Sequence, residues 1–391
     1  MTKFDEMYKE FENTNNVCAF SDKYKADGVG TRFLLIRSLD KSDLKAIIEK
    51  YSDKGASGNF KELIHLAYDS EVTVKQLLEY IESKRDELIH SREEELKGLS
   101  KVLENFPIVN CGVRNDKVDD IVKSFVRDKS MKSMNDLMEE LEGGVLPRVK
   151  QYCLWSYYNQ TSNDIIELYL LKNKKVIPTL RKIHDIDFFL KVENDIVPFD
   201  LKFTHISDEF FNLASKGIEE SSLKNDSFEV VNIGDSELQK VRSVYNEYKK
   251  ANKDKGLLAA SKLSKSEMIE KLENSEDKEI LSKVKKLKEE HENFVPVTAE
   301  DLKKLEWWNY KYQGERLFCN NNRLFVFIAY NNLFTDGRVL KGKTKEIGKQ
   351  INELLDNLKT IDIHTIKYHY DKEDSLVGDY TALSLSTIYT E

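Results

Sequence analysis

The sequence has few cysteines, and none of them is placed as in a metal site or a disulfide framework. Cys18, Cys111, Cys153 and Cys319 are far apart, and no two of them form a Cys-x-x-Cys pair. This spacing argues against a zinc ribbon and against the disulfide pattern of a secreted protein. We therefore expect four ordinary, reduced thiols.

The chain also lacks the apolar segments of membrane and secreted proteins. No stretch approaches the roughly 18 unbroken apolar residues of a membrane span. The first residues, MTKFDEMYKEFENTNN, contain no apolar signal region. With 391 residues, of which 40% are hydrophobic and 33% charged, the composition is typical of a folded, charge-rich protein. We expect a cytoplasmic protein.

Positive charge is not in excess. The formal net charge is −8, whereas a protein that simply coats nucleic acid is usually basic. An acidic total does not exclude a nuclease, because the sign of one groove matters more than the sign of the whole surface. The balance does argue against strong non-specific binding to DNA.

Several common catalytic motifs are missing. The segment ADGVGTRF has two glycines, but it lacks the phosphate loop of nucleotide-binding proteins and the dinucleotide fingerprint. No Gly-x-Ser-x-Gly and no His-Glu-x-x-His occurs. The sequence therefore gives no indication of an ATP site, of a hydrolase with a nucleophilic serine or of a zinc protease.

Residues 1–145 predict a mainly helical region, for DNA recognition or dimerisation. Apolar residues recur at helical spacing over 72–106, where Thr73 can cap the helix and Pro107 end it. The segment TRFLLIRSL (31–39) predicts a short strand or the start of a buried helix. A second helical stretch covers about 115–142, and Gly143, Gly144 and Pro147 then suggest a domain boundary.

Residues 146–391 predict an α/β domain with a helical insertion at about 208–300. A helix is expected over RVKQYCLWSYYNQTSNDIIELYLLKNKK, followed by strands at VIPTL, IDFFLKV and IVPFDLKF. RLFCNNNRLFVFIAY predicts a hairpin with an Asn-rich turn. KTKEIGKQINELLDNL predicts an amphipathic helix, and IHTIKYHY and YTALSLSTIY predict further strands.

Charged residues are set into the predicted hairpin at 184–204, among them Asp187, Asp200 and Lys202. Asp200 and Lys202 are two residues apart, so they share one face of a strand, while Phe199, Leu201 and Phe203 occupy the other face. If the two strands pair, Asp187 approaches Asp200. Two carboxylates and one ammonium group at one end of a sheet suit phosphodiester cleavage. Carboxylate oxygens hold Mg²⁺, and a lysine beside it can orient the attacking water and add positive charge.

This pattern, Asp187 followed by Asp200-Leu201-Lys202, resembles the PD-(D/E)xK motif of the restriction-endonuclease-like nucleases. Ile186 stands where the motif has its proline, and Asp185 is a rival for the first acidic position. Family members often carry a glutamate on the preceding helix, and Glu167 in NDIIELYLL occupies that place. The resemblance implies a mixed sheet flanked by helices, in the order αβββαβ, built from about 150–205 and 305–391. It also implies that Asp187, Asp200 and Glu167 serve the metal site and that Lys202 serves the attacking water. The alternative is a surface hairpin with solvated Asp–Lys pairs.

Other polar and aromatic groups are weaker candidates. His184 and His205 bracket the motif and could touch a phosphate or cap a strand, and Thr204 could touch the DNA backbone. The basic segment GRVLKGKTKEIGKQ opens a helix and could bind DNA through Lys341, Lys343 and Lys345. The remaining candidates are aromatic residues that stack on bases or form the core, and polar residues that read base edges. They are Trp307, Trp308, Tyr310, Tyr312, Gln313, Glu315 and residues 320–322.

The resemblance therefore implies a Mg²⁺-dependent endonuclease, with Mn²⁺ as a possible substitute, that hydrolyses double-stranded DNA. Sequence-specific cleavage of both strands, as in type II restriction enzymes, would favour a homodimer, in restriction or another antiphage role. Two alternatives stay open. One is an antiphage nuclease effector that a partner or ligand activates, and the other is a non-catalytic DNA-binding protein.

Overall fold

The computed structural model describes residues 2–13, 17–25, 28–106, 116–128, 130–183, 185–312, 321–331, 334 and 337–391. Its helices are α1 (Lys3–Asn13), α2 (Val17–Lys23), α3 (Val29–Arg37), α4 (Lys41–Tyr51), α5 (Phe60–Asp69), α6 (Val74–Glu95), α7 (Leu99–Glu104), α8 (Asp116–Arg127), α9 (Met134–Glu140), α10 (Leu146–Lys172), α11 (Asp208–Ala214), α12 (Glu237–Ala251), α13 (Lys265–Glu273), α14 (Lys278–Glu292), α15 (Ala299–Lys311) and α16 (Thr344–Asp356). Its strands are β1 (Val176–Ile183), β2 (Ile186–Val192), β3 (Asp195–His205), β4 (Ile218–Glu220), β5 (Phe228–Val230), β6 (Arg323–Ala329), β7 (His364–Tyr370) and β8 (Gly378–Thr390).

The N-terminal region is helical, as the sequence predicted. The segment 31–39 lies mostly within the buried helix α3 and forms no strand. Thr73 caps α6 in a capping box with Gln76. The long helical stretch breaks into α6 and α7 at Gly98, which has a φ of 81°, a conformation that glycine adopts without strain. Pro107, Cys111 and Cys319 lie outside the described residues.

Gly143 and Gly144, where a domain boundary is predicted, do not interrupt the helical structure, and the boundary itself stays a prediction. A π-helical turn, Leu141–Val145, joins α9 directly to α10. Pro147 is the second residue of α10 and lies within this continuous helical run, so its missing amide hydrogen leaves a carbonyl of the preceding turn without its helical donor. The glycines therefore alter the pitch of the helix without ending it.

The main sheet has six strands in the order β1-β2-β3-β6-β8-β7. β1, β2 and β3 form an antiparallel meander. β3, β6 and β8 run parallel to one another, and β7 is antiparallel to β8. The three strands predicted between 176 and 205 and the two at the C-terminus are all present, so the prediction of a mixed α/β sheet is confirmed.

The predicted hairpin ending in RLFVFIAY is wrong. β6 pairs with β3 on one edge and with β8 on the other over almost its whole length, so no edge remains for a hairpin partner. The expected first strand, residues 316–319, and Asn320 of the expected turn lie outside the described residues. Every residue of β6 is buried, which fits a central strand of a parallel sheet.

Helices cover both faces of the sheet. Phe188 and Leu190 of β2 pack with α10 and α16 on one face, and Phe189 packs with the N-terminal helices on the other. In β6, Phe325 and Phe327 face α15 on that second face. Alternate residues of a strand point to opposite faces, and Phe199 and Phe203 share the α10 face. Asp200 and Lys202 therefore lie on the opposite face, between the packing of the N-terminal helices and that of α15.

The insertion between β3 and β6 is mostly helical, as predicted, but it also contains the small antiparallel pair β4–β5. Its helices α12, α13 and α14 enclose a core of their own, which includes Tyr245, Met268 and Val284. None of the helices in the described part of the chain is long and apolar enough to cross a membrane.

Candidate active site

The β2–β3 hairpin brings two acidic side chains together. Phe188 pairs with Phe199 in the antiparallel register, so the next pair along the hairpin places Asp187 opposite Asp200. Directly opposed residues of neighbouring strands have Cβ atoms about 5 Å apart. The Leu201 amide donates a hydrogen bond to Asp187 Oδ2 at 2.8 Å, which fixes the Asp187 side chain against β3.

Asp185 does not occupy this position. It lies in the turn between β1 and β2 with a φ of 64°, in the left-handed region that few non-glycine residues adopt. The strand register therefore places Asp187, and not Asp185, opposite Asp200. His184, beside it, lies outside the described residues.

Asp200 is held in a partly buried position beside other charges. Its side chain is 22% exposed, and its Oδ2 lies 3.4 Å from Nε of Arg323. Arg323 is the residue of β6 that pairs with Asp200 in the parallel register. Burial, and then the charge of Asp187, raises the pKa of the Asp200 carboxyl to about 7, against the opposing effects of Arg323 and Lys202. Burial and the neighbouring Asp187 charge together outweigh the two cationic neighbours in their effect on the Asp200 pKa.

Lys202 lies on the same face as Asp200, two residues further along β3, and its side chain is exposed. Its positive charge opposes the rise in the Asp200 pKa, so the ammonium group lies within electrostatic range of the carboxyl pair. Leu201, between them, packs against the α10 core, as the alternation in the sequence predicted. The apolar residues at every second position of β3 thus pack into the core, and the charged residues between them face away from it.

Glu167 enters the site from α10. Its neighbours Ile166 and Leu170 pack against the sheet, while its carboxyl and Asp187 line one cavity of about 230 Å³. Burial, and then the charges of Asp187 and Asp164, raises the pKa of the Glu167 carboxyl, while Lys182 and Arg92 oppose this rise. The predicted helix glutamate therefore lies beside the first motif acid.

The three predicted carboxylates do not form a complete metal cage. Among the described residues, no group of three or more His, Cys, Asp or Glu side chains is close enough to hold a metal ion. The pair Asp187 and Asp200 nevertheless suits a hard cation, because two opposed carboxylates supply oxygen ligands from neighbouring strands. A Mg²⁺ ion typically takes one or two carboxylates and keeps several waters, so the residues present fit that ion.

The basic segment that leads into α16 was predicted to contact DNA, and the structure contradicts this prediction at one residue. Lys341 is 3% exposed, and its Nζ donates hydrogen bonds to Asn159 Oδ1 at 2.5 Å and to the Phe203 carbonyl at 2.8 Å. A contact of Lys341 with DNA is therefore contradicted by its burial. Lys343 and Lys345 are exposed, and each forms an ion pair with an acidic side chain, so their contact with DNA stays a prediction.

Two of the remaining candidates lie beside Asp200: the Tyr310 ring contacts Arg323 at 5.4 Å, and the Asn322 carbonyl accepts the Asp200 amide hydrogen bond. The other described candidates do not gather there. His205 lies five residues beyond Asp200 on the opposite face of β3, roughly 16 Å along the strand. Thr204 shares the face of Lys202 and is half-buried. Trp307 and Tyr310 are core residues, and Trp308 and Tyr312 are partly buried beside them. Gln313 and Glu315 lie outside the described residues.

Two features of the site were not predicted from the sequence. Arg323 stands directly before an apolar run, as Asp187 does, and this pattern was the available signal. Lys182 and Arg92 come from β1 and α6 and meet Glu167 only through tertiary packing, so no local pattern marks them. Comparisons with protein-family models, curated proteins and solved structures found no match to this chain.

Proposed function

We propose that the protein is a Mg²⁺-dependent endonuclease that hydrolyses phosphodiester bonds of double-stranded DNA, in restriction or another antiphage role. The observation that carries this proposal is the opposition of Asp187 and Asp200 on the β2–β3 hairpin, with Lys202 on the same face. A helix followed by the β1–β2–β3 meander and two parallel strands also agrees with the restriction-endonuclease-like order that the motif implies.

Each residue has a defined part in the proposed chemistry. Asp187 and Asp200 supply carboxylate oxygens to the ion, and Glu167 supports them directly or through water. A bound Mg²⁺ would stabilise charge on the phosphate oxygens and lower the pKa of a bound water. The Lys202 ammonium orients the attacking water and stabilises the negative charge that develops in the transition state.

The direct test is cleavage of plasmid and phage DNA by the purified protein with Mg²⁺ or Mn²⁺, followed by mapping of the ends. We expect defined ends with 5′-phosphates, and we expect Asp200→Ala and Lys202→Ala to abolish cleavage. Full Mg²⁺-dependent cleavage by both variants would show that the site assignment is wrong. Absence of cleavage by the wild type on every DNA, also after addition of cell extract or small molecules, would contradict the nuclease proposal.

A second candidate function, a nuclease effector that a ligand activates, is favoured by one further cavity. It has a volume of about 380 Å³ and lies between the helices α2 and α3 and the β2–β3 turn, with Pro198 and Asn322 in its lining. Asn322 accepts the Asp200 amide hydrogen bond through its carbonyl at 2.8 Å, so a ligand there would act close to the carboxyl pair. Cleavage only after addition of cell extract or small molecules would support this function over restriction.

A further inference from the structure

The helix α6, which belongs to the N-terminal region, is clamped to the elements that carry the candidate site. The buried Arg85 side chain donates hydrogen bonds to the carbonyl oxygens of Leu171 and Val176, each at 2.6 Å, and to that of Asn173 at 3.4 Å. These carbonyls belong to the end of α10 and the start of β1. The clamp fixes the position of α6 relative to both Glu167 and β1.

Arg92 follows Arg85 by seven residues, which is about two helical turns and therefore the same face of α6. Its Nη2 lies 4.0 Å from Glu167 Oε2, which is an attraction between charges and is too long for a hydrogen bond. Its Nη1 contacts Glu95 at 3.0 Å, but Glu95 is exposed, and such surface pairs hold a side chain weakly. The Arg92 side chain is 37% exposed and can reach a further anion.

Lys182 approaches the same cavity from β1. Its side chain is exposed, and among the described residues it forms neither a hydrogen bond nor an ion pair. With Arg92, it gives the cavity two cationic side chains beside the two carboxylates of Glu167 and Asp187. Arg181 also lines the cavity, but its guanidinium stacks on Phe60 at 4.0 Å. A divalent cation on the carboxylates would leave this cavity with a net positive charge, which favours an anionic occupant.

We propose that Arg92 and Lys182 bind the phosphates of the DNA strand that lies over the carboxyl pair, so that the N-terminal region completes the substrate site. This inference rests on the proposed nuclease function. It assigns to α6 a direct part in substrate binding in addition to the recognition or dimerisation expected for residues 1–145.

A purely structural role for Arg92 predicts different kinetics. If the guanidinium only orients Glu167, its removal lowers kcat and leaves KM and the DNA dissociation constant unchanged. If it binds phosphate, its removal weakens binding and makes binding less sensitive to salt, because fewer counterions are released on binding. The two roles are separated by measuring binding and cleavage on the same variants.

The experiment compares Arg92→Gln and Lys182→Gln with Lys75→Gln, a control at the exposed beginning of α6. DNA binding is measured by fluorescence anisotropy at several salt concentrations, with each change also placed in the Asp200→Asn chain so that the DNA stays intact. We expect Arg92→Gln and Lys182→Gln each to raise the dissociation constant about tenfold. The slope of log K against log salt should become shallower by about one in each. Lys75→Gln should match the parent.

Arg92→Lys is the control for misfolding. It keeps the positive charge, so it should retain most of the DNA binding, with a melting temperature equal to that of the parent. Unchanged dissociation constants and salt slopes in both Gln variants, with a wild type that cleaves DNA, would overturn this inference alone. A wild type that neither binds nor cleaves DNA would overturn the proposed function together with it.

Discussion

The Asp187 carboxylate accepts a hydrogen bond from the Leu201 amide, 2.8 Å away on the neighbouring strand. This hydrogen bond orients the Asp187 side chain towards the part of β3 that carries Asp200 and Lys202. It also separates two properties of Asp187, because the hydrogen bond needs only an acceptor oxygen, whereas metal binding needs negative charge.

We therefore expect Asp187→Asn to lose activity and keep its fold. The Asn side-chain oxygen can accept the Leu201 hydrogen bond, but a neutral amide binds Mg²⁺ poorly. Cleavage should fall by at least about 100-fold, with a melting temperature close to that of the wild type. Asp195→Asn, at the exposed turn end of the same hairpin, is the matched control and should stay active. Equal activity of both variants would exclude Asp187 from the site.

Asp200→Asn should stabilise the metal-free protein at high pH. The folded-state pKa of Asp200 is raised to about 7, whereas an unfolded Asp titrates near 3.9. Between these values the folded state binds more protons than the unfolded state, so stability falls as the pH rises from about 4 to about 7. Removing the charge should recover about 1–3 kcal/mol of unfolding free energy at pH 8 and much less at pH 4.

Denaturant unfolding curves recorded in EDTA at pH 4 and pH 8 measure this difference in unfolding free energy, with a change at an exposed position, Asp254→Asn, as control. A stability gain for Asp200→Asn that is the same at pH 4 and pH 8 would contradict the assigned cause, because it would not depend on ionisation of the carboxyl.

Divalent cations should stabilise the wild type and leave Asp200→Asn unaffected. Binding to the folded state alone raises its stability by RT ln(1 + [L]/Kd), which is about 1.4 kcal/mol at tenfold excess over the dissociation constant. Melting curves in EDTA and in Mg²⁺ at pH 8 measure the shift without any substrate. Equal shifts in both chains would place the bound ion elsewhere.

Lys341→Ala should damage folding and not DNA binding. Its removal leaves the Asn159 side-chain oxygen and the Phe203 carbonyl without their buried donor, at a cost of about 2–4 kcal/mol. Lys345→Ala, which removes an exposed lysine paired with Glu104, should change stability by less than about 0.5 kcal/mol. Urea unfolding distinguishes the two, and a wild-type midpoint for Lys341→Ala would refute its structural role.

A buried charge network in the insertion offers a separate test of the fold. Lys265 and Glu237 form a buried ion pair, and His291 Nδ1 lies 2.5 Å from Glu237 Oε1. Lys265→Met leaves Glu237 buried with only His291 as partner and should cost about 3–5 kcal/mol. Lys283→Met removes a solvent-accessible pair with Glu247 and should cost at most about 1 kcal/mol. Similar costs for both would contradict the burial of the network.

The hairpin that carries the site was predictable because its information is local. Alternation of apolar and charged residues in IVPFDLKF, with a short turn before it, fixes both the faces and the approach of Asp187 to Asp200. The helix carrying Glu167 was predictable from its spacing in the same way.

Arg323 and Lys341 were not predictable, because their surroundings come from distant segments. Arg323 meets Asp200 only when β6 pairs with β3, and no turn links those strands. Lys341 lies in a segment dense in lysine, which locally indicates a solvated loop. Its burial depends on Asn159 of α10 and Phe203 of β3.

The insertion separates β3 from its parallel neighbour β6 by residues 206–322. During synthesis at about 5–20 residues per second, this stretch delays β6 by on the order of ten seconds. Asp187 and Asp200 can meet in their hairpin during that interval, before Arg323 has been made. A nascent chain therefore carries the acidic pair without its arginine neighbour and without the central strand of its sheet. We therefore expect no cleavage of DNA by the nascent chain until β6 has been synthesised and has paired with β3.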